Sequence, residues 1–214
     1  MEVEGGAAGP IAEDDAELVP ELEVYVATLV LSTLLRLGAA RLDDAVACAD
    51  AVCARCGAFN RRTLDLFAAR TYFYYARAYD KAGRLSEVRS KILALHRTAC
   101  LRHDDVGQAT LLNVLVGDYV AQKQFGAAAN LLKNVVFPHA ASNAQLVRHH
   151  YYVGFVRAME LEYSDAKKHL TESLRKAPQP VKRLSKVSLF LYRYISCESF
   201  SQFDSLPLTY FLTI

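Results

Sequence analysis

No segment of this 214-residue chain is long and apolar enough to span a membrane. The longest apolar stretch, Val24 to Leu35, has 12 residues and is closed by Arg36, whereas a spanning helix needs about 20. Residues 1–23 contain no Lys or Arg, so the N-terminus lacks the basic-then-apolar order of a secretory signal. Cysteine is sparse and odd in number: Cys48, Cys53, Cys56, Cys100 and Cys197. Without a signal, that count argues against a disulfide framework and for a reducing compartment. Asn-Gly and Asp-Gly pairs are missing, as is period-2 alternation over strand length, which removes hairpin-built β folds. Clustered Lys and Arg interleaved with aromatics are missing too, so no nucleic-acid partner is expected. The chain lacks a nucleophile elbow, a glycine-rich phosphate loop and a His-x-His pair. Catalytic residues, metal ligands and cofactors are therefore not expected, and the chain reads as a soluble, intracellular non-enzyme without membrane contact.

What is present is apolar material and helical period. Hydrophobic residues make up 52% of the chain, enough to bury a sizeable core. Charge is unevenly spread. Residues 1–23 hold eight acids, and the remaining 191 carry 25 basic and 15 acidic side chains, a net of +10. Three parts follow. Residues 1–19, with Gly5-Gly6, Gly9-Pro10 and most of the acid, read as an acidic disordered tail. Residues 20–179 read as a helical-repeat domain. Residues 180–214 change character and form a divergent tail. Within it, Ser188 to Ile195 could make a short helix, and the remainder has no clear period.

Pro20 suits the first turn of a helix. Leu64, Ala68, Tyr72, Tyr75 and Tyr79 follow at steps of 4, 4, 3 and 4 and share one helix face. Four junctions look alike, around Leu42-Asp43-Asp44-Ala45, Leu85-Ser86-Glu87-Val88, Phe125-Gly126-Ala127-Ala128 and Tyr163-Ser164-Asp165-Ala166. In each, a large apolar or aromatic residue precedes Ala or Val by three positions. The anchors lie 43, 40 and 38 residues apart, the period of stacked helical hairpins. The large side chain is expected to plug the gap between two antiparallel helices, and the small one to let them approach. The fold class is therefore all-α: about four tetratricopeptide-like hairpins in a right-handed superhelix, an α-solenoid. Asp104 and Ser142 or Asn143 are expected to cap helices. Pro138, Pro178 and Pro180 are expected to end them. The last hairpin is expected to leave an apolar end face open.

Six segments carry a resemblance: Asn60–Leu66; Tyr72–Tyr79; Leu101-Arg102-His103-Asp104 with Gly107–Asn113; Val136-Phe137-Pro138; Glu162–Ala166; and Leu174-Arg175-Lys176-Ala177-Pro178-Gln179. Their order and spacing resemble the 26S proteasome non-ATPase regulatory subunit 3 family, over roughly residues 25–179. In that family, helical repeats lead into a PCI domain with a winged helix. Residues 180–214 do not align with it, so the resemblance implies the repeat part with the PCI domain absent. It further implies a non-catalytic structural subunit of the regulatory-particle lid, supporting ubiquitin-dependent degradation. The implied partners are other lid subunits and the ATPase base, and the implied location is cytoplasm and nucleus. A stand-alone repeat adaptor that binds peptides and a truncated product without function both stay open.

Individual residues are weighed the same way. Arg61, Arg62, Arg102 and His103 lie where helices start or end. They are candidate contacts to a neighbouring subunit, with solvated termini as the plainer alternative. Cys53-x-x-Cys56 with Cys48, and His96 with Cys100, have no turn to gather them into a four-ligand zinc site, and read as packed small residues. His149 and His150 point about 100° apart on a helix, one expected to pack and one to face solvent. The tyrosines Tyr72, Tyr74, Tyr75 and Tyr79 are expected in core and inter-hairpin packing. Gly107 and Gly117 are expected where helices pack closely.

Overall fold

The computed structural model describes residues 19–38, 41–59, 61–138 and 141–177. Among these are eight α-helices and, before the third, a short 3-10 turn. They are α1 (Pro20–Leu37), α2 (Leu42–Ala58), α3 (Asp65–Lys81), α4 (Leu85–Arg102), α5 (Asp105–Ala121), α6 (Phe125–Asn134), α7 (Asn143–Met159) and α8 (Tyr163–Lys176). The 3-10 turn, Arg62–Leu64, leads into α3. Consecutive helices pair as four hairpins. The first helices, α1, α3, α5 and α7, also pack on one another in a continuous row. The second helices touch one another little, so the layer fans open on their side. This is an all-α solenoid of hairpin repeats. Residues 1–18 and 178–214 lie outside the described residues, and with them the acidic-tail, tail-helix, Pro178 and Pro180 expectations.

The repeating junction sits where the spacing places it. Leu42, Leu85, Phe125 and Tyr163 are each the first residue of a second helix. One turn on, Ala45, Ala128 and Ala166 are fully buried and Val88 nearly so. The large anchors are less uniform than expected. Leu85 is buried and Phe125 packs 6.0 Å from the Phe155 ring, but Tyr163 is 39% exposed. The constant element is the small residue, because it sets how closely two backbones approach. The anchor only fills what space remains.

Each hairpin turns by the same backbone device where the loop is shortest. Gly83, Lys123 and Leu161 take left-handed conformations, with φ of 69°, 57° and 67°. The amide four residues before the small position then reaches back five residues: Arg84 to Tyr79, Gln124 to Tyr119 and Glu162 to Arg157, at 2.8–2.9 Å. That is a Schellman ending, which satisfies carbonyls the helix leaves open. Glycine occupies only the first of these sites, so Lys123 and Leu161 hold a conformation that L residues disfavour by roughly 1 kcal/mol.

Other endings match the sequence with refinements. Asp104 accepts from the Gly107 amide at 2.9 Å, and Ser142 from the Gln145 amide at 3.4 Å. Pro20 opens α1. Helix α6 stops at Asn134, four residues before Pro138, with Val135 already extended. The proline ring clashes with the carbonyl four positions back, so it acts at Asn134 rather than at Phe137. The close-packed glycines divide. A Cβ on Gly117 would meet the Tyr152 hydroxyl at 2.8 Å, whereas Gly107 makes room for the capping carboxylate of Asp104.

Helix α5 is the spine. It is apolar on every side and buried from Ala109 to Asp118, as an all-round apolar helix must be. Its two sides feed different cores. Leu111, Val114 and Leu115 join Tyr75, Tyr79, Ile92 and Leu31. Leu112, Val116 and Val120 join Tyr151, Phe155 and Leu170. The open apolar end is not at the last hairpin. Helix α8 is strongly amphipathic and shows Lys167, Lys168, Thr171 and Arg175 to solvent. The apolar exposure lies on α1 instead, at Leu22, Val26, Leu29 and Val30, each 45–50% exposed.

Two substitutions test this packing. Gly154→Ala places a Cβ 2.8 Å from Leu170 Cγ and 3.3 Å from the Ala166 carbonyl, and is expected to destabilise by about 1–3 kcal/mol in urea unfolding. Leu161→Gly relieves the left-handed residue and is expected to stabilise by about 0.5–1 kcal/mol.

Candidate subunit-contact surface

The four sequence-selected residues fall at one edge of the second hairpin. Arg61 and Arg62 precede α3, while Arg102 closes α4 and His103 follows it. The hairpin folds these ends together. Arg102 Nη2 donates to Asp65 Oδ1 at 3.0 Å, and contacts the Arg61 carbonyl at 3.5 Å. Arg61 pairs with Glu21 at 3.7 Å, and Thr63 donates to the same carboxylate at 2.5 Å. That hydroxyl is the main cause holding the Glu21 carboxyl below its usual range, with Arg61 adding to it. His103 is the left-handed residue that ends α4, at φ 54°, with the Asp104 amide returning to the Ala99 carbonyl. Arg61 and Arg102 thus work within the chain as clamps. Arg62 and His103 are exposed at the same edge, and no ion pair of Arg62 is recorded among the described residues.

A groove of about 570 Å³ runs along the row of first helices. Tyr25 and Leu29 of α1, Phe67, Phe73 and Tyr74 of α3, and Arg148 of α7 line it. Arg148 stacks over Phe73 at 5.4 Å. Its burial lowers the affinity of the guanidinium for its proton, and Arg70 and Arg77 add like charge nearby. Sequence reading missed this groove. Its residues come from α1, α3 and α7, so it exists only once several hairpins are stacked.

The tyrosines divide between core and groove. Tyr75 and Tyr79 are buried and donate to Asp50 of α2 at 3.3 and 2.6 Å. Lys91 completes that set from α4 at 3.0 Å. Tyr72 is partly buried between core clusters, and Tyr74 faces the groove. Cys53 and Cys56 are buried, and desolvation raises both thiols, Cys53 to about 11. They sit in the packing of α2 against α1 and α3 rather than in a gathered ligand set. Among the described residues no three His, Cys, Asp or Glu side chains converge as metal ligands.

The histidines correct an expectation. Neither His149 nor His150 faces open solvent. His149 stacks on Phe137 at 4.2 Å, and His150 Nδ1 lies 3.2 Å from His169 Nδ1 of α8. The α8 partner is what a single-helix projection cannot see. Burial drives the affinity of all three imidazoles for protons down, His149 to about 4.

Residues 7–183 match the family described as PSMD3-like, N-terminal TPR repeats. The chain belongs to this family. It is 43% identical over 182 residues to "Probable 26S proteasome non-ATPase regulatory subunit 3" of Nicotiana tabacum, covering 84% of this chain and 36% of that protein. It is 41% identical over 159 residues to "26S proteasome non-ATPase regulatory subunit 3" of Dictyostelium discoideum, covering 74% and 31%. It is 37% identical over 169 residues to "Probable 26S proteasome regulatory subunit rpn3" of Schizosaccharomyces pombe, covering 77% and 33%. The chain spans about a third of the length of these relatives. Among the described residues, no helix is long and apolar enough to cross a membrane.

A pH experiment tests the histidine cluster. The folded pKa of His149 lies below its unfolded value near 6.5. Its contribution is therefore complete above about pH 6.5 and is lost as pH falls toward 4. His149→Phe keeps a ring against Phe137. It is expected to remove about 1–3 kcal/mol of the stability difference between pH 7 and pH 4.5, measured by urea unfolding at both.

Proposed function

We propose that this chain acts as a non-catalytic, structural part of the 26S proteasome regulatory particle, in the lid, in support of ubiquitin-dependent protein degradation. The observation that carries the reading is the family match over residues 7–183, which includes all four hairpins. A row of rigid hairpins suits a spacer that presents side chains at fixed intervals to neighbours. The partners in this reading are other lid subunits and the ATPase base, in cytoplasm and nucleus, with no nucleic acid and no membrane. The edge with Arg61, Arg62, Arg102 and His103 is its contact. Arg61 and Arg102 brace that edge from within, and Arg62 and His103 are presented to the neighbour.

The test is affinity purification of the tagged full chain from cells. Enrichment of lid subunits over an unrelated repeat protein is the expected outcome, and absence of enrichment overturns lid assembly for this chain. Arg62→Glu with His103→Asn, asparagine keeping the left-handed conformation, is expected to cut co-purification at least several-fold. Helical circular dichroism and the melting temperature should change little, because exposed rim charges set register more than fold stability.

The groove favours a second reading, a repeat adaptor that holds a short peptide against Tyr25, Phe73, Tyr74 and Arg148. Capture of one defined peptide by the purified chain, abolished by Phe73→Ala, with no lid subunits co-purifying, would replace the first reading with this one.

A further inference from the structure

Helix α1 carries two apolar faces and the described fold covers only one. Val24, Thr28, Leu31 and Leu35 are buried against α2 and α3. Val19, Leu22, Val26, Leu29 and Thr33 follow at steps of 3, 4, 3 and 4 on the opposite side, with Val30 and Leu37 beside them. That is the heptad spacing of a helix-packing seam. The six apolar residues of the set are 45–67% exposed, and the run from Val19 to Thr33 contains no charged residue, the exposed Arg36 standing at its next step. Beside it, Ala47, Ala51 and Ala54 of α2 are exposed small residues. Val30, Ala51 and Val52 line a shallow groove there, edged by the Glu23–Arg55 ion pair at 2.7 Å. Helix α1 is about as apolar overall as the buried spine α5, and a helix of that composition calls for cover on both sides.

We infer that the occupant of this seam is a second copy of the chain, paired α1 to α1 about a two-fold axis with the helices antiparallel. Such an interface needs a self-complementary patch. With the axis between Val26 and Leu29, Val26 meets Leu29 and Leu22 meets Thr33 of the partner copy, apolar or hydroxyl contacts at the central levels, while at the rim Val19 meets the exposed Arg36, whose aliphatic stem can lie along it with the guanidinium in water. Typical side-chain areas give roughly 500 Å² of apolar surface per copy along α1. Two copies close about 1,000 Å², the lower bound for a specific interface and the mark of a weak, reversible dimer. Antiparallel order is set by charge. The residues just before α1 include Glu13, Asp14, Asp15 and Glu17. Parallel pairing would bring two such acidic stretches together, whereas antiparallel pairing separates them by the length of an 18-residue helix, about 27 Å, and opposes the helix dipoles.

The experiment is light scattering after size exclusion, on the purified full chain from about 1 to 200 µM. A reversible rise from 23.8 kDa toward twice that mass is expected, and Val26→Glu should hold it at the monomer mass with the melting temperature unchanged. Thr171→Glu on the outer face of α8 should leave the dimer intact. For orientation, oxidation of Leu22→Cys chains mixed with Thr33→Cys chains is expected to cross-link the two types above the wild-type background, and Leu22→Cys alone is not. A monomer at all concentrations, a dimer that survives Val26→Glu, or self-cross-linking of Leu22→Cys each overturns the proposal. The test is independent of lid assembly, since it uses the isolated chain.

Discussion

Everything in this fold depends on how closely two helices of a hairpin can approach one turn past the bend. Ala45, Val88, Ala128 and Ala166 hold that point in the four hairpins. A small side chain there brings the second helix down onto the first. At α8 the contact is so close that Gly154 on α7 has no room for a methyl group between Leu170 and the Ala166 carbonyl. Close packing of this kind makes each hairpin stiff, because interiors at such density tolerate little change of volume. Once the hairpins are stiff, the stacking of α1, α3, α5 and α7 follows from which faces stay apolar.

The stacking leaves one row in contact and the other splayed, and that difference creates the surfaces. Where first helices meet, aromatics from α1 and α3 and an arginine from α7 form a groove. Where a second helix ends against the start of its own hairpin, Arg102 reaches Asp65 and the Arg61 carbonyl. The edge is thus a by-product of hairpin closure, with two arginines spent on bracing. The left-handed residues do similar work. His103 ends α4 by adopting a conformation that histidine tolerates better than most residues, so the turn that exposes its ring is also the turn that positions Asp104 to cap α5.

The hairpin plan was legible in the sequence because it is a local pattern. An anchor, a small residue three later, and a recurrence near 40 residues together fix where second helices begin, and Leu42, Leu85, Phe125 and Tyr163 all do so. Caps at Asp104 and Ser142 were legible for the same reason. What a single helix cannot show is its partner. The expectation that one of His149 and His150 would face water failed because His169, on another helix, stands against His150. The groove was missed since Tyr25, Phe73 and Arg148 come from three hairpins. The bracing of Arg61 and Arg102 was missed because 41 residues separate them in sequence.

The end faces show the same limit from the other side, and explain why a repeat array is read wrongly at its ends. A helix with neighbours on both sides can be apolar all round, as α5 is. A final helix should then betray itself by turning polar on one side, and α8 does so through Lys167, Lys168, Thr171 and Arg175. By that criterion the described array is closed at α8. Helix α1 fails the criterion: its outer seam is built like an inner face, from Leu22 to Leu37. Of the two end helices of the described array, only α1 thus offers an apolar outer face on which a further helix can pack. Burial of apolar surface then favours any helix that meets α1 with matching spacing over water, and among the described helices the one with an exposed seam of that spacing is α1 itself, in another copy.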